Sequence, residues 1–196
     1  MLLSRLVAPI ALAATVLADG AAVNTALKTV DQSINALTST LTGFSGNIFG
    51  AIPVLGASLK LKSDIDKAAR AASSSQGLTS DETLSLADTV GTITTDATKS
   101  IDAFIAVKPK FDKLLILTPI AAGQIKNLKT ATVALGDAIV SKVPAELKEI
   151  ASQLIGQINA QFDRGSAAYG GSSGSRGSLL FGSPGTRRSS RLERHI

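Results

Sequence analysis

The stretch VNTALKTVDQSINALTSTLTGF, residues 23–44, is the clearest indication of the fold because its large apolar side chains recur at alternating steps of four and three residues. Side chains at that spacing lie on one side of an α-helix, and the polar residues between them lie on the other side. The stretch therefore predicts an amphipathic helix that buries one face against partner helices. The apolar stripe consists of Val23, Leu27, Val30, Ile34, Leu37, Leu41 and Phe44.

Similar stripes farther along the chain predict the partner helices. Helix one is expected from about residue 15 or 19 to 42, and others over 57–73, 79–107, 111–117, 125–143 and 144–162. Leu59 and Ile150 are among the side chains expected to face the core. No segment shows sustained period-two alternation, so no strand is predicted. The expected fold is all-α, a single-domain bundle of five or six amphipathic helices with a disordered C-terminal tail.

Two apolar connections are the candidate functional segments. Residues 43–56 combine glycines and Pro53 with large apolar side chains, which predicts a flexible apolar break between helices. This segment and the run 114–120 are expected to line a cavity for an acyl chain or to open onto a hydrophobic surface; alternatively, both are ordinary buried connections. The candidate contact residues are Phe44, Ile48, Phe49, Ile52, Leu55, Phe104, Phe111 and Leu115.

The two ends of the chain differ from its middle. A charged start followed by a short apolar run and small residues predicts a secretory signal over 1–14, with cleavage as late as residue 18. Residues 15–163, the expected helical domain, carry thirteen basic and fourteen acidic side chains, so the net positive charge of the chain belongs to its ends. The Gly/Ser/Arg-rich composition of residues 164–196 predicts a disordered tail, read as a solvated linker or, alternatively, as a segment that binds acidic polymers.

The side chains that most enzymes need are scarce. There is no cysteine or tryptophan, and the one histidine, His195, is the penultimate residue. Catalytic triads, metal sites and cofactor sites are therefore not expected, and no phosphate-binding glycine loop is present. The basic tail lacks interleaved aromatic residues, so no specific nucleic-acid partner is expected. The sequence predicts a protein that is not an enzyme, uses no cofactor and has no transmembrane segment.

Several short motifs carry a resemblance to a known family. They resemble, in order and spacing, the fungal hydrophobic surface-binding protein A family, which includes the antigenic cell-wall galactomannoproteins. The resemblance extends from residue 15 to 169. The motifs are TVLAD at 15–19 leading into Val23 and Asn24, KSDIDKA at 62–68, VKPKFD at 107–112, VPAEL at 143–147 and AAY at 167–169.

The resemblance implies a secreted, non-catalytic helical protein located outside the cell or in the cell wall. Members adsorb to hydrophobic surfaces, and the implied partners are such surfaces, fatty acids or other lipids, secreted hydrolases and cell-wall polysaccharide. An alternative within the same family is a structural cell-wall galactomannoprotein without a lipid ligand. The Arg-rich tail after Tyr169 departs from the family pattern.

Overall fold

Five α-helices form the part of the chain that the structure, a computed structural model, describes, namely residues 8–170. This arrangement confirms the predicted all-α bundle. The C-terminal tail from residue 171 and residues 1–7 of the expected signal lie outside the described residues. The helices are α1 (Ala8–Thr42), α2 (Ile48–Ser74), α3 (Ser80–Asp112), α4 (Leu117–Lys142) and α5 (Lys148–Ala168), with a 3₁₀ turn at Ala145–Leu147 before α5.

The helices pack as a closed ring. α1 packs against α2 and α3, α2 against α4, α4 against α5, and α5 against α3, whereas α3 and α4 touch only slightly. The apolar stripe of residues 23–44 faces the inside of this ring, and each of its seven side chains is at most 5% exposed. Burying a side chain of this size contributes roughly 1.5 to 3 kcal/mol. The stripe is therefore the main core contribution of α1, as predicted.

The expected break over residues 43–56 is wrong, because α2 begins at Ile48. Asn47 caps this helix by accepting a hydrogen bond from the Gly50 amide at 2.7 Å. Pro53, the sixth residue of α2, lies on the exposed face, where water can solvate the carbonyl group that loses its partner. Burial of Val54 and Leu61 on the opposite face offsets the low helix propensity of this segment.

The expected short helix over 111–117 is also wrong. α3 continues through the exposed Pro109 to Asp112, and the buried side chains Val107 and Phe111 hold it against the core on either side of the proline. A turn over 113–116 follows, and Pro119 lies in the first turn of α4, where a missing backbone N–H costs little.

Two further differences concern the outer faces and the last helix. Leu59 and Ile150, expected in the core, are 51% and 56% exposed. α5 runs to Ala168, beyond residue 163 where the change in composition predicted the end of the domain, and Tyr169 directly after it is buried. The ordered part of the chain therefore reaches at least to Tyr169.

A buried carboxylate joins α1 to α2. Asp64, only 4% exposed, accepts hydrogen bonds from the Ser33 hydroxyl at 2.7 Å, from Lys60 at 2.6 Å and from Lys67 at 3.0 Å. Burial by itself raises the pKa of Asp64, but the three donors outweigh burial and lower the pKa to about 2.

This lowered pKa predicts a loss of stability in acid. The stabilising contribution of Asp64 is fully present above the ordinary carboxyl pKa of 3.8 and is lost as the pH falls through about 2. Replacing Asp64 by Asn should flatten the pH dependence of the unfolding free energy between those two values, measured by urea denaturation. The Asp66→Asn variant is the control, because Asp66 pairs with Lys62 at the same helical spacing but is far more exposed. Equal slopes in wild-type and Asp64→Asn protein would contradict the assignment.

Candidate functional site

A cavity of about 260 Å³ opens between the first halves of α2 and α4, and we call it the α2–α4 cavity. Residues at spacings of three and four from α2 form one wall, and residues at the same spacings from α4 form the other. Two aromatic rings of α3 and one residue of the α3–α4 turn complete the lining. The lining residues are Ile48, Ala51, Ile52, Val54, Leu55, Ser58, Phe104, Phe111, Ile116, Leu117, Ile120, Ala121 and Gln124.

The lining of the α2–α4 cavity carries no charged side chain. Ser58 and Gln124 are the two polar residues among those thirteen. A volume of about 260 Å³ is near the lower end of the range for small-molecule sites, which are mostly apolar with a few polar groups. The site is therefore chemically suited to an uncharged apolar group.

Exposed apolar side chains surround the mouth of the cavity. The described residues include ten large apolar side chains with high exposure, and eight of them lie in residues 48–59 and 115–120, so the exposed apolar surface is concentrated here. Phe49 and Leu115 are the most exposed, at 78% and 85%. Concentrated patches of this kind mark sites that contact lipids, ligands or partners. We call the set Ile48, Phe49, Ile52, Leu55, Leu59, Leu115, Ile116 and Ile120 the apolar rim.

Aromatic contacts hold the inner wall in place. The rings of Phe44 and Phe111 lie 4.7 Å apart between centroids, and Phe104 meets Tyr169 edge to face at 6.5 Å. The Tyr169 hydroxyl donates a hydrogen bond to the Phe104 carbonyl at 2.6 Å. Burial, together with the negative charge of Asp112, raises the pKa of Tyr169, so the hydroxyl keeps its proton and remains a donor.

The turn between α3 and α4 is tied at both of its ends. Asp112 accepts hydrogen bonds from Lys108 at 2.6 Å and from the Thr118 hydroxyl at 2.8 Å, and these bonds lower the pKa of its carboxyl group. Leu115 in this turn has a φ of 44°, a left-handed conformation that is costly for a side chain with a Cβ. The turn thus presents Leu115 and Ile116 to solvent from a constrained backbone.

A second, smaller void of about 50 Å³ lies inside the ring of helices. Side chains from all five helices line it, and nearly all of them are apolar. Phe104 lines both this interior void and the α2–α4 cavity. The Phe104 ring is therefore the shared wall between the outer cavity and the centre of the bundle.

The structure brings five of the eight predicted contact residues into the lining of the cavity. Two others, Phe49 and Leu115, lie on the apolar rim beside it. Phe44 differs: it is 2% exposed and packs behind Phe111, because it closes the core stripe of α1. The five lining residues are Ile48, Ile52, Leu55, Phe104 and Phe111.

The sequence prediction included Leu117 and Ile120 of the α4 wall within the run 114–120 but missed Ala121 and Gln124. Leu117, Ile120, Ala121 and Gln124 follow the helical spacing of three, four and seven residues. This signal was present, but the helices expected over 111–117 and 125–143 divided it. Ser58 was missed because a single serine inside an apolar helix gives no periodic signal.

Within residues 8–170, no helix is both long enough and apolar enough to cross a membrane. The same part of the chain contains no group of three acidic, histidine or cysteine side chains placed to hold a metal ion.

Two Aspergillus proteins, each named cell wall mannoprotein 1, are similar to this chain. The Aspergillus flavus protein is 32% identical over 144 residues, which cover 71% of this chain and 50% of the relative. The Aspergillus fumigatus protein is 33% identical over 154 residues, which cover 76% of this chain and 52% of the relative. The chain thus spans about half the length of these relatives.

Solved structures share the fold. The crystal structure of AFMP4P in complex with palmitic acid has a TM-score of 0.74 at 25% identity, covering 76% of this chain and 99% of that chain. Ligand binding domain 1 of the Penicillium marneffei MP1 protein, complexed with arachidonic acids, has a TM-score of 0.73, covering 77% of this chain and 98% of that chain. At 18% identity the second likeness supports the fold alone.

The model of the hydrophobic surface binding protein A family matches residues 20–141, which span α1 to α4 and both walls of the α2–α4 cavity. This match covers more than half of the chain and agrees with the resemblance that the short motifs carry. The chain belongs to the hydrophobic surface binding protein A family.

Proposed function

We propose that the chain binds a fatty acid or another lipid acyl chain in the α2–α4 cavity and uses the apolar rim to contact hydrophobic surfaces. The observation that carries the proposal is an uncharged cavity whose mouth is surrounded by exposed apolar side chains. The palmitic acid bound by AFMP4P, a structure of the same fold at 25% identity, supports this choice of ligand.

The physical basis of binding is removal of apolar surface from water. Each buried methylene group contributes roughly 0.8 kcal/mol, so a cavity that covers several methylenes supplies useful affinity without any charged contact. Displacement of the Phe104 ring would join the cavity to the interior void and allow a longer chain to enter. We therefore expect affinity to rise with chain length until the cavity is filled.

We also propose an extracellular or cell-wall location and a role in binding rather than catalysis. The names of the Aspergillus relatives support the location, and the uncharged lining of the cavity supports the role. Secreted hydrolases and cell-wall polysaccharide stay predictions from the family resemblance.

Native mass spectrometry of the delipidated chain, incubated with palmitic acid, tests the ligand proposal. We expect a complex that survives transfer into the gas phase and that shifts the melting temperature upward, because a ligand that binds only the folded state stabilises it. If no complex forms and the melting temperature does not change, the proposal fails and the structural cell-wall role without a lipid ligand is favoured.

Adsorption to a hydrophobic polymer tests the apolar rim. The double variant Phe49→Ser/Ile52→Ser should adsorb about tenfold less than wild type. It lacks two exposed apolar side chains that adsorption to the polymer would remove from water. The matched control is Leu84→Ser/Ile150→Ser, which changes two exposed apolar residues outside the apolar rim. Equal adsorption by the two folded double variants would contradict the assignment of the rim.

A further inference from the structure

Two buried oxygen atoms in the α2–α4 cavity have no hydrogen-bond partner within the protein. They are the Ser58 hydroxyl oxygen and the Gln124 side-chain oxygen. Ser58 is 1% exposed, so water outside the bundle does not satisfy it. A buried polar group without a partner costs about 1 to 3 kcal/mol. The chain itself therefore supplies no hydrogen-bond partner to either of these two atoms.

Ser58 differs from many of the helical hydroxyl groups in the described part of this bundle. Hydroxyls in helices commonly bond to the carbonyl four residues earlier. The residues Thr25, Ser39 and Ser74 all do so, at 2.9 to 3.0 Å. The Ser58 hydroxyl does not bond to the Val54 carbonyl, and Ser58 is one of the residues that line the cavity.

Both residues lie at the same end of the cavity lining. Ser58 is the last residue of α2 in the lining, and Gln124 is the last residue of α4. The exposed residues Ile48 and Ile116 lie toward the other end of the lining. A ligand that satisfies Ser58 and Gln124 must therefore place a polar group at the end of the cavity that these two residues line.

The charge of the lining restricts that polar group. No lysine or arginine lines the cavity, so an ionised carboxylate beside Ser58 and Gln124 would lie there without a counter-charge, which is costly. A serine hydroxyl both donates and accepts, and an amide side chain can present either its oxygen or its nitrogen. The pair thus matches a neutral group that donates and accepts, which is a hydroxyl group.

We propose that Ser58 and Gln124 bind the neutral hydroxyl of an amphiphile, either a long-chain alcohol or an undissociated fatty acid, whose polar end lies between these two residues in the α2–α4 cavity. This assignment rests on the proposed function, that an acyl ligand enters this cavity. It adds head-group selection and ligand orientation to that function.

Competition binding to the delipidated full chain tests the assignment with hexadecanol, hexadecane and palmitic acid. Wild type should bind hexadecanol about 3- to 10-fold more tightly than hexadecane, the effect of one or two neutral hydrogen bonds. Hexadecanol affinity should not vary with pH, whereas palmitic acid should bind more tightly as the pH falls and the acid becomes neutral. These pH responses separate the alcohol from the acid as the source of the hydroxyl.

The Ser58→Ala variant should lose most of the preference for hexadecanol and bind hexadecane as wild type does. Its melting temperature without ligand should not fall, because the hydroxyl has no partner to lose. Ser33→Ala is the matched control: its buried hydroxyl bonds to Asp64, so it should lower the melting temperature and leave ligand preference unchanged. Gln124→Met, which keeps size and removes the amide, should behave as Ser58→Ala does.

Three outcomes would overturn the head-group assignment. They are equal wild-type affinities for hexadecanol and hexadecane, an equal loss of both in Ser58→Ala, and a marked drop in the melting temperature of Ser58→Ala. If hexadecane still binds in any of these cases, the proposed acyl-binding function stands. If none of the three compounds binds wild type, the proposed function fails together with the assignment.

Discussion

The affinity of the Ala51→Trp variant for palmitic acid should be at least about tenfold lower than that of wild type, and the variant should remain folded. Ala51 is half-buried and lines the α2–α4 cavity, so an indole at this position projects into the open volume instead of into packed core. Each methylene that the indole displaces removes roughly 0.8 kcal/mol of binding free energy, so loss of two methylene contacts already gives the tenfold effect.

Fluorescence provides the measurement and a check on the geometry. The wild-type chain contains no tryptophan, so all indole emission in this variant comes from residue 51. Blue-shifted emission combined with lost palmitic acid binding is the expected result. The control is Ala122→Trp, because Ala122 is also half-buried but lies outside the cavity lining. Wild-type affinity in an Ala51→Trp variant with a buried indole would place the ligand elsewhere.

Replacing Phe104 by Ala should lower the unfolding free energy by about 3 to 5 kcal/mol, the usual cost of removing a buried aromatic ring. Phe104 is 2% exposed, packs against Tyr169 and separates the α2–α4 cavity from the interior void. Its removal should both lose these contacts and join the two spaces. Because the joined space accepts a longer chain, saturating palmitic acid should restore part of the lost stability.

Urea denaturation with and without palmitic acid measures both effects of Phe104→Ala. The control is Phe49→Ala, since Phe49 is 78% exposed and its truncation should change stability by no more than about 0.5 kcal/mol. If Phe104→Ala differs from wild type by less than about 1 kcal/mol, the ring is not the structural wall described above. If the loss is full but palmitic acid restores none of it, the two spaces are not joined in the variant.

The sequence predicted the core of this fold well, because residues 23–44 and the stripes of the later helices repeat at helical spacing without interruption. The errors in helix boundaries occurred where proline or glycine lies inside a helix, whereas Leu59 and Ile150 were errors of face. Pro53 and Pro109 both lie on exposed faces, so their backbone cost is partly relieved by water, and buried neighbours keep the helix continuous. Local propensity does not contain that information.

The candidate site was predictable in part for a related reason. Apolar residues such as Ile52 do not fit the helical stripes in the sequence, which indicated that they lie outside the core. In the structure Ile52 lines the cavity. The apolar break predicted over residues 43–56 placed Phe44 in the candidate site. In the structure its ring is buried and belongs to the core. Ser58 and Gln124 are far apart in sequence, and only the packing of α2 against α4 brings them to the same cavity. Neither segment by itself therefore indicates the pair.

The closed ring of helices affects how the interior can be reached. Each helix packs mainly against two neighbours, and the chain contains no cysteine, so no covalent cross-link fixes any interface. Separating α2 from α4 alone would widen the entrance between them while the other four interfaces stay intact. The α2–α4 interface would then carry both the entrance and the residues that line the cavity.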